Sequence, residues 1–132
     1  MTVTQILAEF LVRARPEDLP EDVRHQAKRC LLNFVGAAAG GARDGATSRA
    51  VRVLSPFAGK PAATLIGRVE RMDALSAAFI NAVSANVFDF DDNHHSTVIH
   101  PAAPVVPGLL ALAEERPTSG SLFASFWKKS PP

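Results

Sequence analysis

The stretch from Asp89 to His100 concentrates the chain's proton-handling side chains. It reads Asp89-Phe90-Asp91-Asp92-Asn93-His94-His95-Ser96-Thr97-Val98-Ile99-His100 and is followed by Pro101, so three carboxylates and three of the four histidines fall together. Neighbouring carboxylates resist ionising at the same time, which pushes the pKa of one of them up. Imidazole beside them exchanges protons near neutral pH. The pair of functions needed for general acid and general base catalysis is therefore present. The competing reading is a solvated acidic turn. Phe88 and Phe90 weigh against it, because they argue that part of the run is buried, and buried charge must be paired or used.

Metal sites fit the spacing less well. Asp89-x-Asp91-x-Asn93 opens like a calcium loop, but the sixth position is His94 instead of glycine and the twelfth is His100 instead of glutamate. Asp91, His95 and His100 supply the donors of a two-histidine, one-carboxylate iron site or of a zinc site. Their spacing matches no strong signature such as His-Glu-x-x-His, and no metal is assigned from sequence. No Gly-x-Ser-x-Gly elbow, dinucleotide fingerprint or phosphate loop occurs. The single cysteine, Cys30, rules out an internal disulfide and a four-thiolate iron–sulfur cluster within one chain. It shares an apolar helical pattern with Ala27, Leu31 and Phe34 and reads as a buried core thiol. His25, beside Arg24 and Lys28, reads as a solvated surface residue.

Helices must position this cluster. Ile6, Leu7, Phe10, Leu11 and Ala14 share one face of a first helix, with Thr4 as its cap and Pro16 as its end. Pro20, Glu21 and Asp22 open a second, with an apolar stripe of Val23, Ala27, Cys30, Leu31, Phe34 and Val35, and Gly40 and Gly41 as its stop. Asn33 interrupts that stripe as a capping or bridging residue. A third helix is expected over Ala46 to Leu54, followed by a short strand or extended segment within Ala62 to Gly67. Asp73 caps a fourth, whose inward face is expected to carry Met72, Leu75, Phe79, Ala82, Val83 and Val87. A fifth is expected from Pro104 or Pro107 to Glu115. Five helical patterns and at most one short strand make the fold class all-α, a helical bundle-like segment.

The 132 residues suit one domain or a piece of a larger one, and 47% hydrophobic with 20% charged residues allows a packed core. A formal net charge of +1 gives no electrostatic case for nucleic acid. No apolar run reaches the roughly 18 residues of a membrane span, and the first residues lack the basic and apolar regions of a secretory signal. A cytoplasmic protein is the expectation.

Ala77-Ala78-Phe79-Ile80-Asn81, Phe88-Asp89-Phe90-Asp91-Asp92, His100-Pro101 and Pro107-Gly108-Leu109-Leu110-Ala111-Leu112-Ala113-Glu114 resemble, in order and spacing, the MmgE/PrpD family. The stretch Leu19 to Gly36 is similar to that family's amino-terminal helices. The family includes 2-methylcitrate dehydratase, cis-aconitate decarboxylase and iminodisuccinate epimerase. The resemblance covers about Ile6 to Ala124. It implies the amino-terminal part of a helical domain, a cofactor-independent enzyme acting on a small polycarboxylate substrate, and a homodimer in the full-length family. It places Asp91, Asp92 and His100 at the substrate as catalytic residues, with Asp89, His94, His95 and Thr97 as substrate-binding neighbours. Three positions depart from the family pattern: Ala82 where glycine is frequent, Asn86 near a frequent histidine, and Asn33 where aspartate is frequent. Residues 1–124 then form an incomplete helical domain and residues 125–132 a divergent tail, in which Trp127, with Phe123 and Phe126 close by, would expose apolar surface. The family's further catalytic lysine and histidine lie beyond the matched segment, and a truncated or frameshifted gene product, weakly active or inactive alone, is the expectation. Two other readings stay open: a non-catalytic helical interaction module or subunit, and a small metal-dependent hydrolase using Asp91, His95 and His100.

Overall fold

A computed structural model describes residues 1–13, 15–94, 96 and 98–116; Ala14, His95, Thr97 and the segment 117–132, including the expected tail, lie outside them. The described residues form five α-helices, α1 (Val3–Arg13), α2 (Glu21–Gly41), α3 (Gly45–Leu54), α4 (Ala74–Asn86) and α5 (Ala102–Glu115), and one antiparallel hairpin, β1 (Ala63–Thr64) and β2 (Arg71–Met72). The chain is mostly helical, as the periodicity predicts. Among the described residues no helix is long and apolar enough to cross a membrane.

Local chemistry sets the helix starts. Thr2 and Gln5 form a reciprocal cap for α1: the Thr2 hydroxyl accepts from the Gln5 amide at 3.3 Å, and the Gln5 side chain accepts from the Thr2 amide at 2.8 Å. The expected cap, Thr4, lies inside the helix instead, because only Thr2 has a Gln three residues on. Asp44 caps α3 by accepting from the Ala46 amide at 2.7 Å. Asp73 caps α4, as expected, accepting from the Ser76 amide at 3.0 Å. The apolar face of α1 is exposed at Ile6, Leu7 and Phe10.

Two clusters make the core. One joins Val51, Ala63, Leu65, Met72, Ala77, Ile80 and Ala111 between α3, the hairpin, α4 and α5. The other joins Phe34, Ala38, Ala85, Ala102 and Val106 between α2, α4 and α5. The buried face of α4 is not the expected one. Ala77, Ile80, Asn81, Ser84 and Ala85 point inward, while Leu75 is 85% exposed and Phe79 56% exposed. Helix α4 is apolar on nearly all sides, so periodicity alone could not choose a face. Backbone proximity chooses it. A Cβ at Gly41 would collide with the Ser84 carbonyl oxygen, so α2 and α4 touch main chain to main chain, and only small residues fit that seam. The Ser84 hydroxyl donates to the Ala38 carbonyl across it at 2.6 Å.

The hairpin pairs Ala63 with Met72 and Thr64 with Arg71. Met72 is buried, as expected, but from β2 instead of α4. Gly67 turns the connection at φ +75°, where a Cβ would also stand 2.7 Å from that of Ala42. Helix α5 starts at Ala102, ahead of both expected prolines, with Pro107 buried inside it. Pro104 suits a first turn, where amides lack partners anyway; Pro107 costs one ladder bond.

Candidate active site

The segment between α4 and α5 is held at several points. Asp89 has φ +56° and Val98 φ +53°, a region that side chains other than glycine rarely adopt. The Asp89 amide donates to the Asn86 carbonyl at 3.0 Å, continuing the end of α4. Further along, the His94 amide donates to the Ile99 carbonyl at 2.9 Å and the Val98 amide to the His94 carbonyl at 2.8 Å, closing a tight reversal. Helix α2 contributes Asn33, whose side-chain amide donates to the Phe90 carbonyl at 3.0 Å. That is the bridging role open to Asn33 from sequence.

This scaffold brings Asp91 and His100 together. The Asp91 side chain is 0% exposed, and its Oδ1 lies 3.2 Å from His100 Nδ1. Neither of these two buried atoms has an aligned hydrogen bond. Asp91 Oδ2 accepts from the Asn86 side chain at 3.5 Å. The other imidazole nitrogen, Nε2, lies 3.8 Å from Oδ1 of Asp89, whose side chain is 82% exposed. The imidazole thus spans from a buried carboxylate to the protein surface. A histidine with one nitrogen against a fixed carboxylate and the other toward solvent is oriented for proton exchange with a ligand.

Asp92 faces elsewhere. Its Oδ1 accepts from the Ala102 amide, the first of α5, at 3.0 Å, and its carboxylate lies near the Cys30 thiol. Cys30 is half-buried and lines an open cleft of about 520 Å³ with Arg29, Asn33, Asp92 and Asn93, a more open setting than the core position expected. Burial, then the Asp92 carboxylate, push its thiol pKa up, which disfavours the nucleophilic thiolate. A second cleft of about 470 Å³ is lined by Leu32, Gly36, Gly40, Phe88 and Phe90; the two rings, expected to be part-buried, are both exposed. His25 is exposed, as expected. His95 and Thr97 lie outside the described residues.

Donor atoms of Asp89, Asp91 and His100 all lie within 4.8 Å of one another. Their mixture of carboxylate oxygen and imidazole nitrogen suits a divalent cation. The set contains Asp89 where the sequence offered His95. Sequence reasoning missed Asn86 and Cys30 as partners of the acids. No local pattern marks such contacts, since they are made between separate elements.

Known proteins share this segment. The cis-aconitate decarboxylase-like protein oryM of Aspergillus oryzae is 27% identical over 112 residues, which are 85% of this chain and 23% of that protein. Cis-aconitate decarboxylase of Mus musculus is 27% identical over 117 residues, 88% of this chain and 24% of the relative. The Homo sapiens enzyme of the same name is 29% identical over 119 residues, 89% and 24% respectively. The chain therefore spans about a quarter of the length of these relatives. The family profile for the MmgE/PrpD N-terminal domain matches residues 5–126, nearly the whole sequence, and the chain belongs to that family.

Proposed function

We propose that this chain is the amino-terminal part of a lyase or isomerase acting on a small polycarboxylate by proton transfer next to a carboxylate. The observation that carries the reading is the buried Asp91 carboxylate 3.2 Å from His100, whose second nitrogen reaches the exposed Asp89. Membership of a family with cis-aconitate decarboxylase relatives supports it. Asp91 orients the imidazole, and His100 takes or gives the proton. When a C–H or C–C bond next to a carboxylate breaks, the electron pair stays on carbon, and negative charge grows on an already anionic substrate. Preorganised hydrogen-bond donors and cations must stabilise that charge. Loss of hydroxide as water, protonation after loss of carbon dioxide, or reprotonation on the opposite face completes a dehydratase, decarboxylase or epimerase cycle. Asp89 and His94 stand at the edge of the substrate space, and the full-length protein works as a cytoplasmic homodimer.

The test is binding and turnover of cis-aconitate, citrate, 2-methylcitrate and iminodisuccinate, followed by NMR in deuterated solvent to detect label entering carbon. At least one ligand is bound or exchanged by the unmodified chain, and Asp91→Asn or His100→Ala lowers the effect about 100-fold, the lower end of the range for general acid–base groups. Variants indistinguishable from the unmodified chain sink the reading, and where the chain alone binds and exchanges nothing, unchanged turnover on the same substitutions in a full-length relative sinks it.

A metal-dependent reaction has one observation in its favour, the convergence of Asp89, Asp91 and His100. It predicts stoichiometric zinc, iron or manganese after dialysis, lost in Asp89→Asn. Metal analysis of the purified protein decides it.

A further inference from the structure

Asp91 and Asp92 are adjacent, and by family resemblance both stand at the substrate. Their surroundings separate them. Asp91 faces His100. Asp92 faces the start of α5, where its Oδ1 accepts from the Ala102 amide at 3.0 Å. The first amides of a helix have no partner within it, and the helix dipole favours an anion there. Pro101, at the N-cap position, makes no side-chain capping bond. A residue distant in sequence supplies the acceptor instead. The same carboxylate lines the cleft beside Cys30 and Asn33 of α2, so Asp92 stands where α2 and α5 meet.

The cap lies next to the candidate acid–base pair. Only Pro101, with φ −71°, separates His100 from the amide that Asp92 holds. Proline fixes that angle by its ring, so anchoring Ala102 limits where the His100 backbone can go. On the other side Asn33 anchors the Phe90 carbonyl, one residue before Asp91.

We infer that Asp92 is a positioning residue that holds His100 against Asp91 by capping α5 from outside the helix, and that it transfers no proton itself. The inference rests on the reading of Asp91 and His100 as the proton-handling pair. It deepens that reading by dividing the two neighbouring aspartates into one that faces the imidazole and one that braces its backbone.

The experiment compares Asp92→Ala with Asp92→Asn in the 132-residue chain, with two readouts. Amide hydrogen exchange at Ala102, by NMR, reports the cap. Citrate binding and carbon-bound deuterium exchange report the site. Asparagine keeps the acceptor oxygen and is as good a capping residue as aspartate, whereas alanine has none, a difference worth roughly tenfold in equilibrium terms. Asp92→Ala is therefore expected to speed Ala102 exchange and weaken ligand binding or turnover by about that factor, and Asp92→Asn to restore both. If asparagine protects Ala102 yet leaves turnover as low as alanine does, the negative charge itself is needed and the positioning role is overturned. If alanine leaves Ala102 exchange unchanged, there is no cap and the inference also falls. If Asp91→Asn and His100→Ala have no effect in the same assays, the proton-transfer reading fails and takes the positioning role with it. Protection at Ala102 would then mark a purely structural contact.

Discussion

A buried amide side chain costs most when its partners are left behind, and Asn81 has two of them. Its oxygen accepts from the Ile66 amide at 2.9 Å and its nitrogen donates to the Thr64 carbonyl at 2.9 Å. Asn81 is only 3% exposed, so it serves the extended segment as a third strand would, satisfying main-chain groups that the two-residue hairpin cannot reach. Asn81→Ala strands both groups, at about 1–3 kcal/mol for each buried partner left unsatisfied. Urea denaturation should show a lower midpoint with an unchanged slope. The same substitution is expected to leave the Asp91–His100 contact in place, since the hydrogen bonds of Asn81 run to Ile66 and Thr64. Nothing about Asn81 in sequence announced this role. It was legible only as part of a family pattern, because its partners lie 15 and 17 residues away.

Among the elements, the hairpin is fastened to α5 by one carboxylate. Glu114 accepts from the Thr64 amide at 3.0 Å and hydroxyl at 2.7 Å, and pairs with Arg71 at 3.1 Å. Burial works to raise the Glu114 pKa, but the Thr64 hydrogen bonds and the Arg71 charge outweigh it and hold the carboxyl below its usual value. A carboxyl whose pKa is lower in the folded state stabilises the fold at neutral pH, and the contribution disappears as pH falls through its folded pKa. Thermal melts of the unmodified chain should therefore lose stability on acidification through the carboxylate range. Glu114→Gln should be less stable at pH 7 and show a shallower acid dependence, and identical pH profiles would count against the clamp. Elements whose signals are local were legible: Asp73 before α4, Pro20 with two acids before α2, Gly41 at its end. The start of α5 was not, because its cap, Asp92, comes from ten residues earlier and two prolines within the helix each read as its first turn. The face of α4 was not legible either, since Leu75 and Phe79 are as apolar as Ile80, and steric room, not hydrophobicity, decided which of them turned inward.

At the scale of the molecule, the cluster of acids and imidazoles stands out in the sequence, but its internal division does not. Asp91 buried, Asp89 exposed and Asp92 spent on a helix end are outcomes of packing among α2, α4 and α5. The seam between α2 and α4 governs that packing. Gly41→Ala forces a methyl group into the Ser84 carbonyl, and overfilling of this kind costs about 1–3 kcal/mol. Calorimetry should register that loss, with a larger one for Gly41→Val. Apart from stability, the contact acts as a fulcrum. Asn33 lies eight residues up the same helix, about 12 Å along its axis. A rocking of α2 by ~10° about Gly41 would swing Asn33 by ~2 Å on that lever arm, enough to part it from the Phe90 carbonyl. A single added methyl group at one end of a rigid rod is thereby transmitted to the loop that sets Asp91, so the proposed proton transfer should weaken in Gly41→Ala even at temperatures where the fold itself survives.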